Sequence, residues 1–267
     1  MLLPRIISAL IMGLLFVYAV FVLGAQGFQI AIGLVVLLAA WEWARLSGIT
    51  RQQGRLAFAG LVGTLCFGVA IFDLQKDVLW IAPILWFMAL SWVVCYPKER
   101  LWQSRFARVV FGLLVLMTTW SAMVVLRESS EFIVWLLLLM GLIWGADSGA
   151  YFSGKAFGKR KLAPSVSPGK SWEGVVGGVV LTQIGVATFA YYNDFSLLSW
   201  VLLAGISVVT VFTSVLGDLT ESLFKRHESL KDSSQLIPGH GGVMDRVDSL
   251  TSAAPIYVLL LSFAGWV

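Results

Sequence analysis

Charged residues are scarce in this chain. Asp, Glu, Lys and Arg make up 13% of its 267 residues, against the ~25% that is usual in soluble domains. Hydrophobic residues make up 58%, and the mean hydropathy is +0.86. A water-soluble domain of this length does not have such a composition, so we expect a polytopic membrane protein.

Cysteine and histidine are also rare, with two of each. Cys66 and Cys95 lie in apolar stretches, as small buried hydrophobic residues do, and they offer neither a disulfide framework nor a CxxC metal site. The glycines near the C-terminus lack the GxxxxGK[ST] spacing of a Walker loop. No segment alternates like the strands of a barrel, so helix is the predicted spanning structure.

Nine apolar stretches approach the ~20 residues that a spanning helix needs. They lie at 6–24, 28–46, 56–74, 78–96, 107–126, 131–152, 172–192, 197–217 and 247–266. The first has no convincing small-residue cleavage site, so we expect it to be retained. The predicted fold is all-α, with about five spans in an N-terminal region, 1–126. A C-terminal catalytic region, 127–267, contains the polar loops 154–170 and 225–246.

The basic residues predict the orientation. With the N-terminus in the cytoplasm, every Lys and Arg except Lys76 and Arg127 falls on the cytoplasmic side; Arg5 and Arg100 are among them. This imbalance follows the positive-inside rule, and it supports an odd number of spans. Both polar loops then lie at the cytoplasmic edge of the membrane, where we expect the active site.

Acidic residues flank the second loop. Asp218, Glu221, Ser222 and Lys225 have the spacing i, i+3, i+4, i+7, so they share one face if the eighth helix continues that far. Asp245 and Asp248 are three residues apart at the start of the ninth helix. We expect Asp218, Asp245 and Asp248 to converge on Mg²⁺, a hard cation that takes carboxylate and phosphate oxygens. The alternative is that they are interfacial charges balanced by nearby Lys and Arg.

Glycines and cations suited to phosphate stand close by. Glycine lets backbone N–H groups approach an anion, and helix N-termini attract phosphate. The predicted phosphate contacts are Ser167, Lys170 and Ser171, ahead of the seventh helix, and Gly239, His240, Gly241 and Gly242 in the second loop. His240 could instead stabilise its loop, and Glu173 could simply cap a helix. Asp147 is expected to face the bundle rather than lipid.

Two glycines, Gly174 and Gly178, form a small-xxx-small step in the seventh helix. Close packing within the chain is the expectation, and a dimer contact is the alternative.

These groups predict chemistry on a phosphate-rich substrate. A phosphate monoester is already anionic at neutral pH, so it could attack without a strong base. A metal and a cationic cleft would bring two polyanions together and align them. The cytoplasm supplies nucleotides, and the membrane supplies lipids.

Three motifs carry a family resemblance. The long one runs from Ser222 through Lys225-Arg226, Lys231-Asp232 and Pro238-Gly-His-Gly-Gly to Asp245-Arg246-Val-Asp248. It resembles the signature of phosphatidate cytidylyltransferase, also called CDP-diacylglycerol synthase. Ser167-Pro-Gly-Lys-Ser-Trp-Glu-Gly174 and Asp147-Ser-Gly-Ala-Tyr151 are similar to two further motifs of that family.

The resemblance implies that CTP and phosphatidic acid give CDP-diacylglycerol and pyrophosphate, with Mg²⁺. It also implies a homodimeric enzyme of the bacterial inner membrane that uses membrane lipids and no nucleic acid. The family resemblance alone suggests a second, monovalent cation such as K⁺. The implied catalytic residues are Asp218, Asp245, Asp248, Lys225 and Arg226, and Asp147, Ser222, Lys231 and Arg246 join the predicted substrate-binding residues. A transporter, a prenol kinase and an ether-lipid cytidylyltransferase remain alternatives.

Overall fold

The protein is a bundle of long helices. A computed structural model describes residues 2–98 and 101–267; Arg100, one of the basic residues assigned to the cytoplasmic side, lies outside these ranges. The helices are α1 (Leu2–Phe21), α2 (Ala25–Leu46), α3 (Gln52–Ile71), α4 (Gln75–Val78), α5 (Ile81–Cys95), α6 (Arg105–Glu128), α7 (Phe132–Phe157), α8 (Trp172–Tyr192), α9 (Leu197–His227) and α10 (Met244–Phe263). A short antiparallel hairpin, β1 (Lys161–Ala163) and β2 (Ser167–Ser171), joins α7 to α8.

Eight helical segments of the described residues are long and apolar enough to cross a membrane, judged by length and composition. α4 and α5 together form one of them, Gln75–Cys95. The predicted all-α membrane fold is therefore confirmed, and this is an integral membrane protein. α10 occupies the ninth predicted position but is not among the eight.

The composition of α10 follows from its place in the bundle. Most of the helix from Ser249 to Leu261 is buried, including Ser249, Thr251 and Ser252. Because neighbouring helices surround it, its side chains need not be as apolar as those that face lipid. Thr251 and Ser252 direct their hydroxyls to carbonyls of α10 itself.

Two helix ends differ from the sequence prediction. α9 was expected to end near residue 217 but continues to His227, so Asp218, Glu221, Ser222 and Lys225 do lie on one continuous helix. α7 likewise continues to Phe157, and the hairpin then occupies part of a segment that was predicted to be a loop. The terminal turns of both helices are as polar as a loop, so the sequence predicted that the helices end earlier than they do.

An aromatic cluster fixes α2, α6 and α9 against one another. The ring of Trp43 lies 5.3 Å from that of Phe224 and 6.0 Å from that of Phe111, centroid to centroid. The indole N–H of Trp43 donates to the carbonyl of Arg108 at 2.9 Å. Gly112 provides the room, because a Cβ there would overlap the indole ring. Glu42 and Lys225, the sequence neighbours of Trp43 and Phe224, are thereby set at the same end of the bundle.

Glycines bring α7 and α8 into close contact. A Cβ on Gly178 would lie 2.7 Å from the carbonyl oxygen of Ala146, and one on Gly174 would lie 3.0 Å from that of Ala150. The small-xxx-small step therefore packs within the chain, as expected. This contact places Asp147, on α7, near the residues that precede α8.

Candidate active site

Polar side chains gather at one end of the bundle. They come from the last turns of α2 and α9, the first turns of α10, the middle of α7 and the strand β2. The predicted residues from separate motifs thus meet in one region of the folded chain.

Lys225 joins α9 to α10. Its ammonium nitrogen lies 2.5 Å from Oε2 of Glu221, one turn earlier, and 2.8 Å from Oδ1 of Asp245. Two of its three N–H donors are therefore taken by carboxylates. Glu221 is 1% exposed, and its other oxygen, Oε1, is buried with no hydrogen-bond partner among the residues that the structure describes.

Asp245 anchors the loop before α10. Its Oδ2 accepts hydrogen bonds from the backbone N–H of Ser233 at 2.9 Å, the Ser233 hydroxyl at 2.7 Å and the N–H of Gly242 at 2.8 Å. Its Oδ1 accepts from Lys225. Both oxygens are engaged, so Asp245 would have to release a partner before it could bind a metal.

A second carboxylate, Glu42 of α2, holds the same loop. It is fully buried. Three groups donate to it: the hydroxyl of Ser234 and the N–H groups of Val243 and Met244. The Ser233 hydroxyl lies 3.1 Å from its Oε2 and shares one proton between Glu42 and Asp245. The two N–H groups are donors that the first turn of a helix leaves without a partner of its own, and a carboxylate satisfies them well.

The motif ahead of α8 reaches α9 through an ion pair. The ammonium nitrogen of Lys170 lies 2.7 Å from Oδ2 of Asp218, and the Ser222 hydroxyl donates to Oδ1 at 3.3 Å. Asp147 is exposed and close enough to Lys170 and Asp218 for their charges to act on it. Asp248 likewise interacts electrostatically with Asp218, Lys225 and Lys170.

The glycine loop has a structural explanation for its residues. Gly239 and Gly241 have φ angles of 77° and 85°, a region that side chains disfavour. Nδ1 of His240 lies 2.8 Å from the hydroxyl of Ser8 on α1, which also donates to the carbonyl of Pro238. His240 therefore stabilises its loop. A phosphate contact by these residues stays a prediction.

The hydroxyls ahead of α8 have different surroundings. The buried side chain of Ser171 caps α8 by accepting from the N–H of Gly174 at 3.2 Å, whereas Ser167 is half-buried at the start of β2. Glu173 accepts from the N–H groups of Lys159 and Arg160, so it fixes the turn before the hairpin. Structural roles thus account for Ser171 and Glu173.

Three predicted cations lie on the surface: Arg226, Lys231 and Arg246 are all exposed. Arg226 donates to the carbonyl of Val166 at 3.3 Å, which connects α9 to the turn of the hairpin. Lys231 and Arg246 form no ion pair within the described residues. Their side chains are accessible to an anion.

The carboxylates of the site could hold a cation. Those of Asp147, Asp218, Glu221, Asp245 and Asp248 lie around the ion-paired lysines Lys170 and Lys225. The donors are all oxygen, which Mg²⁺ prefers. Within residues 2–98 and 101–267, no three Asp, Glu, His or Cys side chains form a group that could hold a metal ion. Mg²⁺ is commonly held by one or two carboxylates together with substrate phosphates, so Asp218 and Asp248 fit that arrangement.

Sequence reasoning missed the residues that support the site. Glu42 was not selected, although it stands in the apolar run Trp41-Glu42-Trp43, and a lone carboxylate in such a run is a signal. Ser233, Ser234 and Ser8 carry no comparable signal, because their partners lie far away in the sequence.

Comparison with known proteins identifies the class. The molecule is an integral membrane protein with an acidic and basic cluster at one end of its helices, and a sequence model described as the Cytidylyltransferase family matches residues 3–264. The chain belongs to this family. The predicted membership and the prediction of an enzyme are thereby confirmed.

Three bacterial relatives match along nearly the whole chain, and each is named phosphatidate cytidylyltransferase. The protein of Pseudomonas aeruginosa is 46% identical, covering 100% of this chain and 99% of the relative. That of Haemophilus influenzae is 38% identical, covering 96% and 97%. That of Brucella suis is 33% identical, covering 96% and 91%.

Proposed function

We propose that this chain transfers the cytidylyl group of CTP to phosphatidic acid, giving CDP-diacylglycerol and pyrophosphate. The observation that carries this is the full-length similarity to relatives named for that activity. The polar cluster supports it, since Lys170, Lys225 and several carboxylates lie at one end of a membrane bundle. A lipid and a nucleotide can both reach such a position.

The proposed step is an in-line displacement at phosphorus. An oxygen of the lipid phosphate forms a bond to the α-phosphorus of CTP. The bond from that phosphorus to the oxygen bridging to the β-phosphate breaks, and its electron pair leaves with pyrophosphate. The nucleophile is already anionic at neutral pH, so the step needs no strong base. Alignment and charge neutralisation are the main requirements.

The residues divide these tasks. Exposed Lys231, Arg246 and Arg226 attract the two polyanions. Lys170 presents one cation from the motif ahead of α8 and orients Asp218. Lys225 fixes α9 against α10 and keeps one N–H for a phosphate oxygen.

Magnesium completes the proposal. Asp218 and Asp248 would hold Mg²⁺, with Asp245 as the predicted third ligand. Asp218 would first release Lys170, and Asp245 would release one of its own partners. The ion would neutralise phosphate charge and orient the leaving group. A monovalent cation beside it is proposed only from the family resemblance.

The proposed setting is the bacterial inner membrane, with the N-terminus and the site on the cytoplasmic side, as the distribution of Lys and Arg predicts. A homodimer is proposed from the same resemblance. Cross-linking in native membranes would test the dimer, and labelling of single cysteines introduced at the two faces would test the orientation.

The decisive experiment supplies purified protein with CTP and phosphatidic acid in mixed micelles. We expect pyrophosphate release that depends on the lipid, and a lipid product that contains the cytidylyl group. Release of CDP with phosphorylation of an added prenol would instead identify a kinase. Absence of turnover, with uptake of an anion into vesicles that contain the protein, would identify a transporter.

A further inference from the structure

Glu42, on α2, is a fully buried carboxylate of the N-terminal region. Within the described residues, its hydrogen-bond partners all lie in the polar loop 225–246 or at the start of α10. They are Ser233 Oγ at 3.1 Å, Ser234 Oγ at 2.5 Å, the Val243 N–H at 3.0 Å and the Met244 N–H at 2.6 Å. A carboxylate removed from water is costly unless such groups satisfy it. These contacts join α2 to residues 191 to 202 positions later.

The next residues of the loop fit closely around this carboxylate. A Cβ on Gly242 would lie 2.5 Å and 2.6 Å from the two oxygens of Glu42, so only glycine leaves room for them. Arg45, one helical turn after Glu42, donates to the carbonyl of Ser233 at 3.2 Å. Two charged side chains of α2 therefore fix the backbone and the hydroxyl of Ser233.

Ser233 transmits this contact to the site. Its single hydroxyl lies 3.1 Å from Oε2 of Glu42 and 2.7 Å from Oδ2 of Asp245. Asp245 in turn binds Lys225, which binds Glu221. A continuous series of polar contacts thus runs from α2 through the loop to α9.

We propose that Glu42 is a positioning residue of the active site: it holds Ser233 and the first turn of α10 so that Asp245 stays on Lys225. The proposal rests on the proposed function for its kinetic consequence. Glu42 itself is fully buried and would act through these residues rather than on a substrate. The N-terminal helices therefore set the geometry of the site as well as anchoring the protein.

The test is Glu42→Gln in the full-length protein, because the amide keeps the shape but replaces one acceptor oxygen with a donor. We expect the kcat for CTP and phosphatidic acid to fall about 10- to 100-fold, because small displacements of reacting groups slow a reaction by this much. Amide hydrogen exchange at Val243 and Met244 should become faster. The matched control is Glu128→Gln on the exposed end of α6, which should retain kcat and exchange rates.

A double-mutant cycle separates positioning from a purely structural cap. If Glu42 acts on Asp245 through Ser233, then Glu42→Gln in a Ser233→Ala background should lower kcat much less than it does alone. If Glu42 is only a structural cap, Glu42→Gln should lower the thermal stability while kcat per folded molecule stays at the wild-type value. That second result overturns the proposal, as do fully additive effects on kcat.

Failure of the two proposals can be told apart. A wild-type protein that does not transfer cytidylyl groups contradicts the proposed function, while faster exchange at Val243 and Met244 in Glu42→Gln still measures the contact. If Glu42→Gln does not fold, Ser234→Ala removes one donor and keeps the carboxylate. The positioning role is overturned if Ser234→Ala leaves both kcat and the amide hydrogen exchange of Val243 and Met244 unchanged and Ser233→Ala keeps the wild-type kcat.

Discussion

The ammonium nitrogen of Lys170 lies 2.7 Å from Oδ2 of Asp218, which connects the motif ahead of α8 to the side of α9. The two residues are far apart in sequence: Lys170 belongs to the motif ahead of α8, and Asp218 lies one helical turn before the long motif that begins at Ser222. Their pairing places one cation and one carboxylate where the two substrates are proposed to meet. In the proposed mechanism, Lys170 exchanges Asp218 for a phosphate oxygen, and Asp218 exchanges Lys170 for Mg²⁺.

Removing that cation should impair catalysis. We expect Lys170→Gln to lower kcat/KM for CTP about 100-fold or more, the usual effect of losing one preorganised electrostatic contact. Steady-state assays of pyrophosphate release measure it. Lys76→Gln is the control, because Lys76 is exposed and predicted to lie on the opposite side of the membrane, and it should stay near the wild-type rate. Wild-type kcat/KM in Lys170→Gln would remove this lysine from the site.

Asp245 should be indispensable for turnover. Asp245→Asn leaves Lys225 without one of its two carboxylates and weakens the acceptor of the Ser233 and Gly242 N–H groups. We expect kcat to fall at least about 100-fold while the protein still inserts in the membrane. Lys98→Gln, outside the motifs, should be nearly silent. Full activity of the Asp245 variant would contradict its role. Complete loss of activity in the Lys98 variant would mean that the boundary of the site is assigned wrongly.

Chelation tests the magnesium proposal. Turnover should disappear in excess EDTA and return when Mg²⁺ is added above the chelator concentration, because the carboxylates and phosphates need a hard cation between them. Pyrophosphate release before and after each addition is the measurement. Persistent turnover in thoroughly chelated medium would exclude the divalent ion.

The α7–α8 contact predicts a stability difference between two glycines of one helix. Gly178→Ala would place a Cβ 2.7 Å from the carbonyl oxygen of Ala146, whereas Gly185→Ala would meet nothing within 4 Å. We expect the first to lower the free energy of unfolding by about 1–3 kcal/mol, the typical cost of overpacking. Thermal unfolding in detergent measures both. Equal midpoints for the two variants would contradict the close packing.

Sequence patterns predicted the helices well because long apolar runs determine them. The position of α9 was predicted but its end was not, since Asp218 to Lys225 form a polar surface on a helix that continues. The hairpin β1–β2 was missed because strands this short carry little periodic signal.

The candidate site was predicted in its composition rather than in its contacts. The motifs and the helical spacing supplied Lys170, Asp218, Lys225 and Asp245, and the fold brings these together in two ion-paired groups. Their pairing could not be read from the sequence, because it depends on how α8, α9 and α10 pack. Glu42 shows the same limit: its partners lie in a distant loop, and local pattern says nothing about them.

The buried, serine- and threonine-containing α10 has a consequence for biosynthesis. It leaves the ribosome after the eight segments that are apolar enough to cross a membrane, and it is not one of them. Partitioning into lipid by itself would expose its hydroxyls and first-turn charges, which is unfavourable. Its entry into the bilayer therefore depends on helices that are already assembled, so Asp245 and Asp248 reach the site only after those earlier helices are in place.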